Sequence, residues 1–193
     1  SLCKALLPHI HDLAMPQGRV EIGFTKLSHC GLKGQDEAVF LFSANAGMPV
    51  KPLARIASGG ELSRFALALK TVMLRNFGVP TMIFDEIDTG VGGVTAQKMA
   101  EKMALIAGER QVLCITHLAQ IACFADHHLY IHKSTAGSST TSQVEALDQE
   151  GRIQEIMRMT GGTNQSQSAR ENARELLAMA AAVKKQNKEP KKK

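Results

Sequence analysis

The feature that most constrains the fold is a short apolar run that ends abruptly in two acidic residues. The run is Thr81–Phe84, and Asp85 and Glu86 follow it directly. A continuous run of this length is typical of a strand buried on both faces, whose carboxyl end emerges at a site. A second such run covers residues 111–116, and a helical pattern over residues 92–107 separates the two. This alternation predicts an α/β fold with a mainly parallel sheet covered by helices on both faces.

Further strands and helices are predicted on either side of this core. Residues 20–27 and 38–43 predict a small antiparallel strand pair near the N-terminus. Apolar residues at helical spacing predict a helix over residues 61–77. In residues 1–15 the helical spacing is interrupted by Pro8, which favours a helix end or two short helices. The remaining predicted elements are strands over 129–132 and 144–147, separated by a polar stretch at 134–142, and helices over 152–159 and 168–183, the last opened by a capping box from Ser168 to Glu171.

The net charge of +5 is concentrated at the C-terminus of the 193-residue chain. The last ten residues contain six lysines and one glutamate, so the rest of the chain is formally neutral. Such an end is typical of a solvated, disordered tail, with a DNA-binding arm as the alternative. The four cysteines lack CxxC spacing and fit small buried residues in a reducing cytosol. No run approaches about 18 uninterrupted apolar residues, so we expect no membrane span.

The first candidate site is the segment Ser58, Gly59, Gly60 and Glu61 at the start of the predicted helix over 61–77. Two interpretations are open. Ser and Glu three residues apart form a capping box, and the glycines then only permit a tight turn. Alternatively, the glycines let a ligand approach the backbone, and the amides of the helix start bind a phosphate.

The second candidate site consists of Asp85, Glu86 and Asp88 after the first buried strand. Adjacent carboxylates at a strand end are costly to bury without partners, which favours a functional role. Asp85 would hold Mg²⁺, usually through water, and Glu86 would polarise a water that attacks a phosphate. The alternative is an acidic turn before the next helix, with Asp88 as a turn residue.

The third candidate is His117, directly after the second buried strand. A lone histidine is more often a structural residue than a catalyst. The carboxyl ends of parallel strands, however, face one ligand crevice. We therefore expect His117 to emerge on the same edge as Asp85 and Glu86.

The order of these motifs resembles an ABC-type ATPase head, and their wording is similar to that of the RecN family of SMC-like proteins. The three stretches that carry the resemblance are residues 56–64, 83–90 and 111–118, and the likeness extends over most of residues 1–183. The fold implied is the C-terminal lobe of a P-loop NTPase-like ABC/SMC ATPase head. Residues 1–15 would be the end of a coiled-coil arm, residues 16–183 the lobe, and residues 184–193 the Lys-rich tail.

The resemblance also implies a role for each site residue. Ser58, Gly59, Gly60 and Glu61 match the signature loop, which reaches ATP bound by a second head. Asp85 matches the Walker B carboxylate that holds Mg²⁺, and Glu86 matches the catalytic base. Asp88 matches the D-loop acid at the dimer interface, and His117 the switch histidine that senses the γ-phosphate.

One motif that such an ATPase needs is missing from this sequence. No segment matches the phosphate-binding loop G-x-x-x-x-G-K-[ST], whose amides and lysine cradle the β- and γ-phosphates. In the family this loop lies far upstream. The expected partners are therefore the protein's own N-terminal P-loop lobe, a second copy through the heads, and DNA, with no membrane. ATP and Mg²⁺ would bind tightly only with that lobe, and this chain alone is expected to hydrolyse essentially none.

The function implied is ATP-driven head dimerisation and hydrolysis in DNA double-strand break repair and recombination, in the bacterial cytoplasm at the nucleoid. Two alternatives stay open on the residues alone. Asp85, Glu86, Asp88 and His117 could form a two-metal nuclease or phosphohydrolase site. The same segments could instead build a non-catalytic dimerisation surface.

Overall fold

The computed structural model describes residues 1–32, 34–74, 79–85, 87–136, 139–162 and 166–188. Glu86 lies outside these residues, as do residues 189–193 of the predicted tail. The chain divides into two compact units, Ser1–Ile115 and Thr116–Lys193. Each unit combines helices with strands, so the predicted α/β class is confirmed. None of the helices among the described residues has the length and apolar character that a membrane crossing requires.

In its described residues the first unit contains three helices and five strands. In chain order these are α1 (Leu2–Asp12), β1 (Arg19–Gly31), β2 (Gly34–Ser43), β3 (Lys51–Pro52), α2 (Gly59–Val72), β4 (Thr81–Phe84), α3 (Gly93–Ala107) and β5 (Gln111–Cys114), with a short 3₁₀ turn at Leu53–Arg55 before α2.

The predicted antiparallel pair near the N-terminus is present and longer than expected. β1 pairs with β2 from Arg19 opposite Ser43 to Lys26 opposite Asp36, and β3 adds a short third strand to β2. The sheet packs on α2 through aromatic rings. The ring centroid of the buried Phe65 lies 5.8 Å from that of Phe40 and 5.1 Å from that of Phe42.

β4 and β5 form the predicted parallel pair. They pair in register from Thr81 opposite Gln111 to Phe84 opposite Cys114. Parallel pairing is confined to these two strands among the described residues, while β1–β3 pair antiparallel.

The expectation that both faces of this sheet are covered is wrong for the described chain. Met82 and Phe84 are buried, whereas Ile83, Leu113 and Ile115 are 67%, 45% and 56% exposed. The burial therefore alternates along strands whose sequence is apolar throughout. An apolar run indicates that both faces of a strand are suited to burial, but it does not identify the segments that cover them.

Helix α1 is continuous despite its proline. The helix runs through Pro8 without a break, so the predicted interruption is wrong. Leu6, Ile10 and Leu13 are fully buried. We attribute the continuity to this buried stripe, which outweighs the backbone hydrogen bond that proline cannot donate.

A polar cluster around the buried Lys102 joins α1 to α3. The Lys102 side chain is 9% exposed, and its Nζ donates to Asp12 Oδ2 over 3.0 Å. Nζ also lies 3.0 Å from Nδ1 of His9. Burial lowers the pKa of His9, and the positive charge of Lys102 lowers it further, against the opposing charge of Asp12. The imidazole therefore stays neutral and accepts a hydrogen bond from the ammonium.

The second unit contains an antiparallel hairpin and two long helices. Its elements are α4 (Ala119–Ala122), β6 (Leu129–Ala136), β7 (Ser139–Ala146), α5 (Gln149–Met159) and α6 (Gln167–Lys188). The polar stretch predicted between two short strands is mostly strand, because hairpin pairing satisfies its backbone groups.

The last helix differs from its prediction at both ends. Ser166 Oγ accepts from the amide of Ala169 over 3.3 Å, so the helix is capped two residues before the predicted box. At the other end α6 continues to Lys188. Nζ of Lys184 donates to Phe124 O and to Asp126 Oδ1, each over 3.0 Å. Lys184, where the sequence predicts the disordered tail to begin, is therefore held within α6.

We predict that Asp12→Ala destabilises the protein more than Lys102→Met does. The first change leaves a buried ammonium beside the neutral imidazole of His9, and losing a hydrogen bond to a charged group costs about 1.5–3 kcal/mol. The second leaves a carboxylate that is 50% exposed and can be hydrated. Urea unfolding of both variants measures the difference, and a larger loss for Lys102→Met would contradict this account.

We also predict that His9 makes stability depend on pH. Its pKa is lowered in the folded state, so the unfolded chain binds more protons as the pH falls below about 6.5. Its contribution is therefore complete above that pH and is lost as the pH falls further. His9→Gln keeps a hydrogen-bond acceptor that does not titrate, so this variant should lose less stability between pH 7 and pH 5. Equal losses in the two proteins would argue against the assignment.

Candidate functional site

The start of α2 forms the first part of the site. Ser58 has extended backbone angles and caps the helix, its Oγ accepting from the amide of Glu61 over 3.3 Å. The first intrahelical bond follows, from the amide of Leu62 to Ser58 O over 3.1 Å. Of the two hydrogen bonds in the predicted capping box, the one from the Glu61 amide to the Ser58 side chain is therefore confirmed. It does not exclude binding, because Ser58 and Gly59 are exposed and first-turn amides have no acceptor within their own helix.

The loop after β4 forms the second part. Asp85 is exposed at the end of the strand, whereas Ile87 is fully buried and Asp88 is 2% exposed. The amide of Val91 donates to Asp88 O over 3.2 Å, which closes a turn in which Gly90 has a φ of 72°. The loop therefore buries Asp88 in its interior and leaves Asp85 exposed at the end of the strand.

These two parts contact each other. A Cβ placed on Gly60 would lie 3.2 Å from Thr89 O and 3.3 Å from Nη1 of Arg64. Nη1 of Arg64 in turn donates to Thr89 O over 3.5 Å. The start of α2 and the loop after β4 therefore lie side by side, as a site built from both requires.

The parallel pairing brings the end of β5 to the same carboxylates. The amide of Ile115 donates to Phe84 O over 3.0 Å, which continues the ladder to the point where Asp85 begins. Burial raises the pKa of Cys114 to about 12, with smaller contributions from the negative charges of Asp88 and Asp85. The thiol is therefore protonated at neutral pH and carries no charge into this region.

His117 belongs to the second unit. It follows β5 at the first residues of that unit, and its side chain is exposed. Next to it, Thr116 Oγ1 accepts from the amide of Leu118 over 3.0 Å, which fixes the turn into α4. The expectation that His117 faces Asp85 and Glu86 stays a prediction.

The sequence motifs assign no individual role to Arg64 or Thr89. Arg64 is 9% exposed, which is unusual for an arginine, and burial lowers its pKa against the raising effect of Glu61. The only feature of the sequence that indicates a role for Arg64 is its position one turn after Gly60, on the same side of α2. That spacing alone could not reveal the contact with a loop 25 residues further along the chain.

The site thus combines a helix start that suits an anion with exposed and buried carboxylates beside it. Helix amides favour phosphate groups, and an exposed carboxylate favours a hydrated Mg²⁺. The described residues contain no group of three or more histidine, cysteine or acidic side chains that could hold a metal ion by themselves.

Solved structures with the same architecture are SMC head domains. One is the Smc head domain with a coiled coil and joint from Pyrococcus yayanosii, with a TM-score of 0.58 and 23% identity over 82% of this chain and 29% of that one. Another is an Smc head bound to the C-winged helix domain of ScpA, with a TM-score of 0.52 and 24% identity over 77% of this chain and 43% of that one. The fold is that of part of an SMC-type ATPase head.

Curated relatives identify the family more closely. The DNA repair protein RecN of Halalkalibacterium halodurans is 50% identical over 78% of this chain, and that of Deinococcus radiodurans is 44% identical over 92%. The chain belongs to the RecN family of DNA repair proteins, as its motifs predict. It spans 27% and 31% of the length of these two relatives. No family profile matches the chain.

We predict that Gly59→Ala and Gly60→Ala differ in stability. Alanine is favoured over glycine in a helix by about 0.8–1 kcal/mol. A Cβ on Gly59 meets nothing within 4 Å, so this variant should gain part of that amount. A Cβ on Gly60 presses on the Thr89 carbonyl and should lose the gain. Urea unfolding compares the two, and equal stabilities would mean that α2 and the loop are not in close contact.

Proposed function

We propose that this chain is the signature-loop lobe of an ATPase head in a RecN-type DNA repair protein. In this proposal ATP joins two heads, and hydrolysis lets them separate during double-strand break repair and recombination. The observation that carries it is the contact between the start of α2 and the loop after β4, at Gly60 and Thr89. This contact holds together, within one unit, the start of α2 and the loop after β4. Two heads that enclose ATP between them would need both segments on the same side of their interface.

The start of α2 would bind the γ-phosphate of ATP held by the second head. Ser58 accepts the amide of Glu61, and its hydroxyl proton can still donate to a phosphate oxygen. The amides of Gly59 and Gly60 belong to the first turn and point along the helix axis. The exposure of Ser58 and Gly59 permits an approach from outside the lobe.

The carboxylates after β4 would act on the ATP bound by this head itself. Asp85, exposed at the strand end, would hold Mg²⁺ through water. Glu86 would take a proton from the attacking water, and His117 would contact the γ-phosphate. Asp88 is buried and would shape the interface loop rather than touch the nucleotide. Bound ATP would supply the phosphoanhydride bond that is hydrolysed and the phosphate charge that attracts the second head. Mg²⁺ would balance part of that charge.

The rest of the head would cover the open sheet face. Ile83, Leu113 and Ile115 present an apolar surface on a two-stranded parallel sheet, and parallel sheets are normally covered on both faces. The relatives are nearly three times as long as this chain, which leaves room for a P-loop lobe. That lobe would supply the phosphate-binding loop, and DNA would be the partner of the whole protein.

We expect ATP hydrolysis only when the two lobes are combined. Steady-state turnover is measured for this chain alone and after mixing with a separately made P-loop lobe. Each preparation is tested as wild type, as Glu86→Gln and as the control Glu109→Gln, an exposed glutamate after α3. Turnover should be present only in the mixture, unchanged by the control, and reduced about 100-fold or more by Glu86→Gln, since a general base contributes 10²–10⁴-fold.

Two results would reject the proposal. Cleavage of DNA by this chain with Mg²⁺ or Mn²⁺ and no nucleotide would indicate the nuclease alternative. Turnover in the mixture that does not depend on Glu86 would indicate that these segments only build an interface.

A further inference from the structure

We propose that Arg64 is a positioning residue that fixes the loop of Asp88 against the start of α2, so that both present one rigid surface to the second head. The proposal rests on the proposed function for its effect on turnover. The contact itself is a property of this lobe.

The burial of Arg64 is the first observation. Arg64 is only 9% exposed, and its guanidinium is costly to desolvate unless hydrogen bonds offset part of that loss. Nη1 donates to Thr89 O, and Glu61 on the same helix provides the opposite charge. Nε is buried without a hydrogen-bond partner among the described residues. The side chain is thus kept inside although its hydrogen bonding is incomplete, which points to a role beyond stability.

Gly60 is the second observation. It precedes Arg64 by four residues, so both lie on one side of α2. A side chain on Gly60 would press on Nη1 of Arg64 and on Thr89 O together. The absence of a Cβ at this position leaves the space that the guanidinium and the carbonyl share.

The place of Thr89 in the loop gives the contact its consequence. Thr89 lies between the buried Asp88 and Gly90, whose positive φ turns the chain toward α3. Fixing the carbonyl of Thr89 therefore fixes the loop relative to Ser58 and the first turn of α2. A shift of about 1 Å in such a group can lower a rate by 10²-fold.

Arginine suits this task better than lysine. Its planar fork of five donors reaches a carbonyl while the stem stays packed, whereas an ammonium is compact and strongly hydrated. Lysine should therefore replace Arg64 poorly, although it keeps the charge.

The test uses the full-length protein with Arg64→Lys, Arg64→Met and the control Arg55→Met, an exposed arginine three residues before Ser58. We expect both Arg64 variants to lower kcat for ATP about 10-fold or more, with KM changed less than about twofold, since the P-loop lobe provides most of the ATP contacts. The control should match wild type. Melting temperatures are recorded to show that each variant folds.

A second measurement follows the contact without ATP turnover. Hydrogen exchange of the Val91 amide, which donates to Asp88 O, should become faster in Arg64→Met and stay unchanged in Arg55→Met. Gly60→Ala should reproduce both effects, because it displaces the same two groups.

The two measurements separate the possible failures. If wild type hydrolyses ATP with Glu86 dependence and Arg64→Met keeps both its kcat and its Val91 exchange rate, the role of Arg64 is overturned while the proposed function stands. If wild type does not hydrolyse ATP, the proposed function fails. An unchanged exchange rate in Arg64→Met then overturns the contact as well, and a faster one upholds it.

Discussion

The parallel pairing of β4 with β5 is the constraint on which the rest of the first unit depends. The two strands pair in register from Thr81 opposite Gln111, and the last bond runs from the amide of Ile115 to Phe84 O. Both strands therefore end at the same edge of the sheet. Asp85 begins where that ladder stops, and α3 begins at Gly93. A slip of one residue would exchange buried Met82 and Phe84 with exposed Ile83. The burial of one face thus fixes where the acids emerge.

Two buried cations join elements of the first unit. Lys102 ties α3 to α1, and Arg64 ties α2 to the loop that precedes α3. Both α2 and α3 also bury apolar side chains. Hydrogen bonds to Asp12 and to the Thr89 carbonyl are directional, so they fix the orientation in which these helices pack. Buried polar groups serve this purpose in some proteins at a cost in stability, and we adopt that interpretation here.

Local patterns predicted the elements well, but not their surroundings. The helix over 92–107 and the strand Thr81–Phe84 were found within one residue, because spacing and apolar content are properties of the segment itself. The continuity of α1 through Pro8 and the extension of α6 to Lys188 depend on tertiary contacts, which periodicity does not encode. The same limit applies to the site. The motifs identified the loop of Ser58, whereas the contact between Arg64 and Thr89 needed coordinates.

The separation in sequence between these contacts bears on how a second head would bind. Arg64 and Thr89 are 25 residues apart and lie in one unit, so ordering the loop costs only the entropy of closing a short segment. That cost is met when the lobe folds, before any partner arrives. Under the proposed function, ATP therefore need not order the signature loop and the Asp88 loop as the heads meet. Binding energy that would have gone into ordering them remains for holding the two heads together, which makes the lobe a preformed half of the interface.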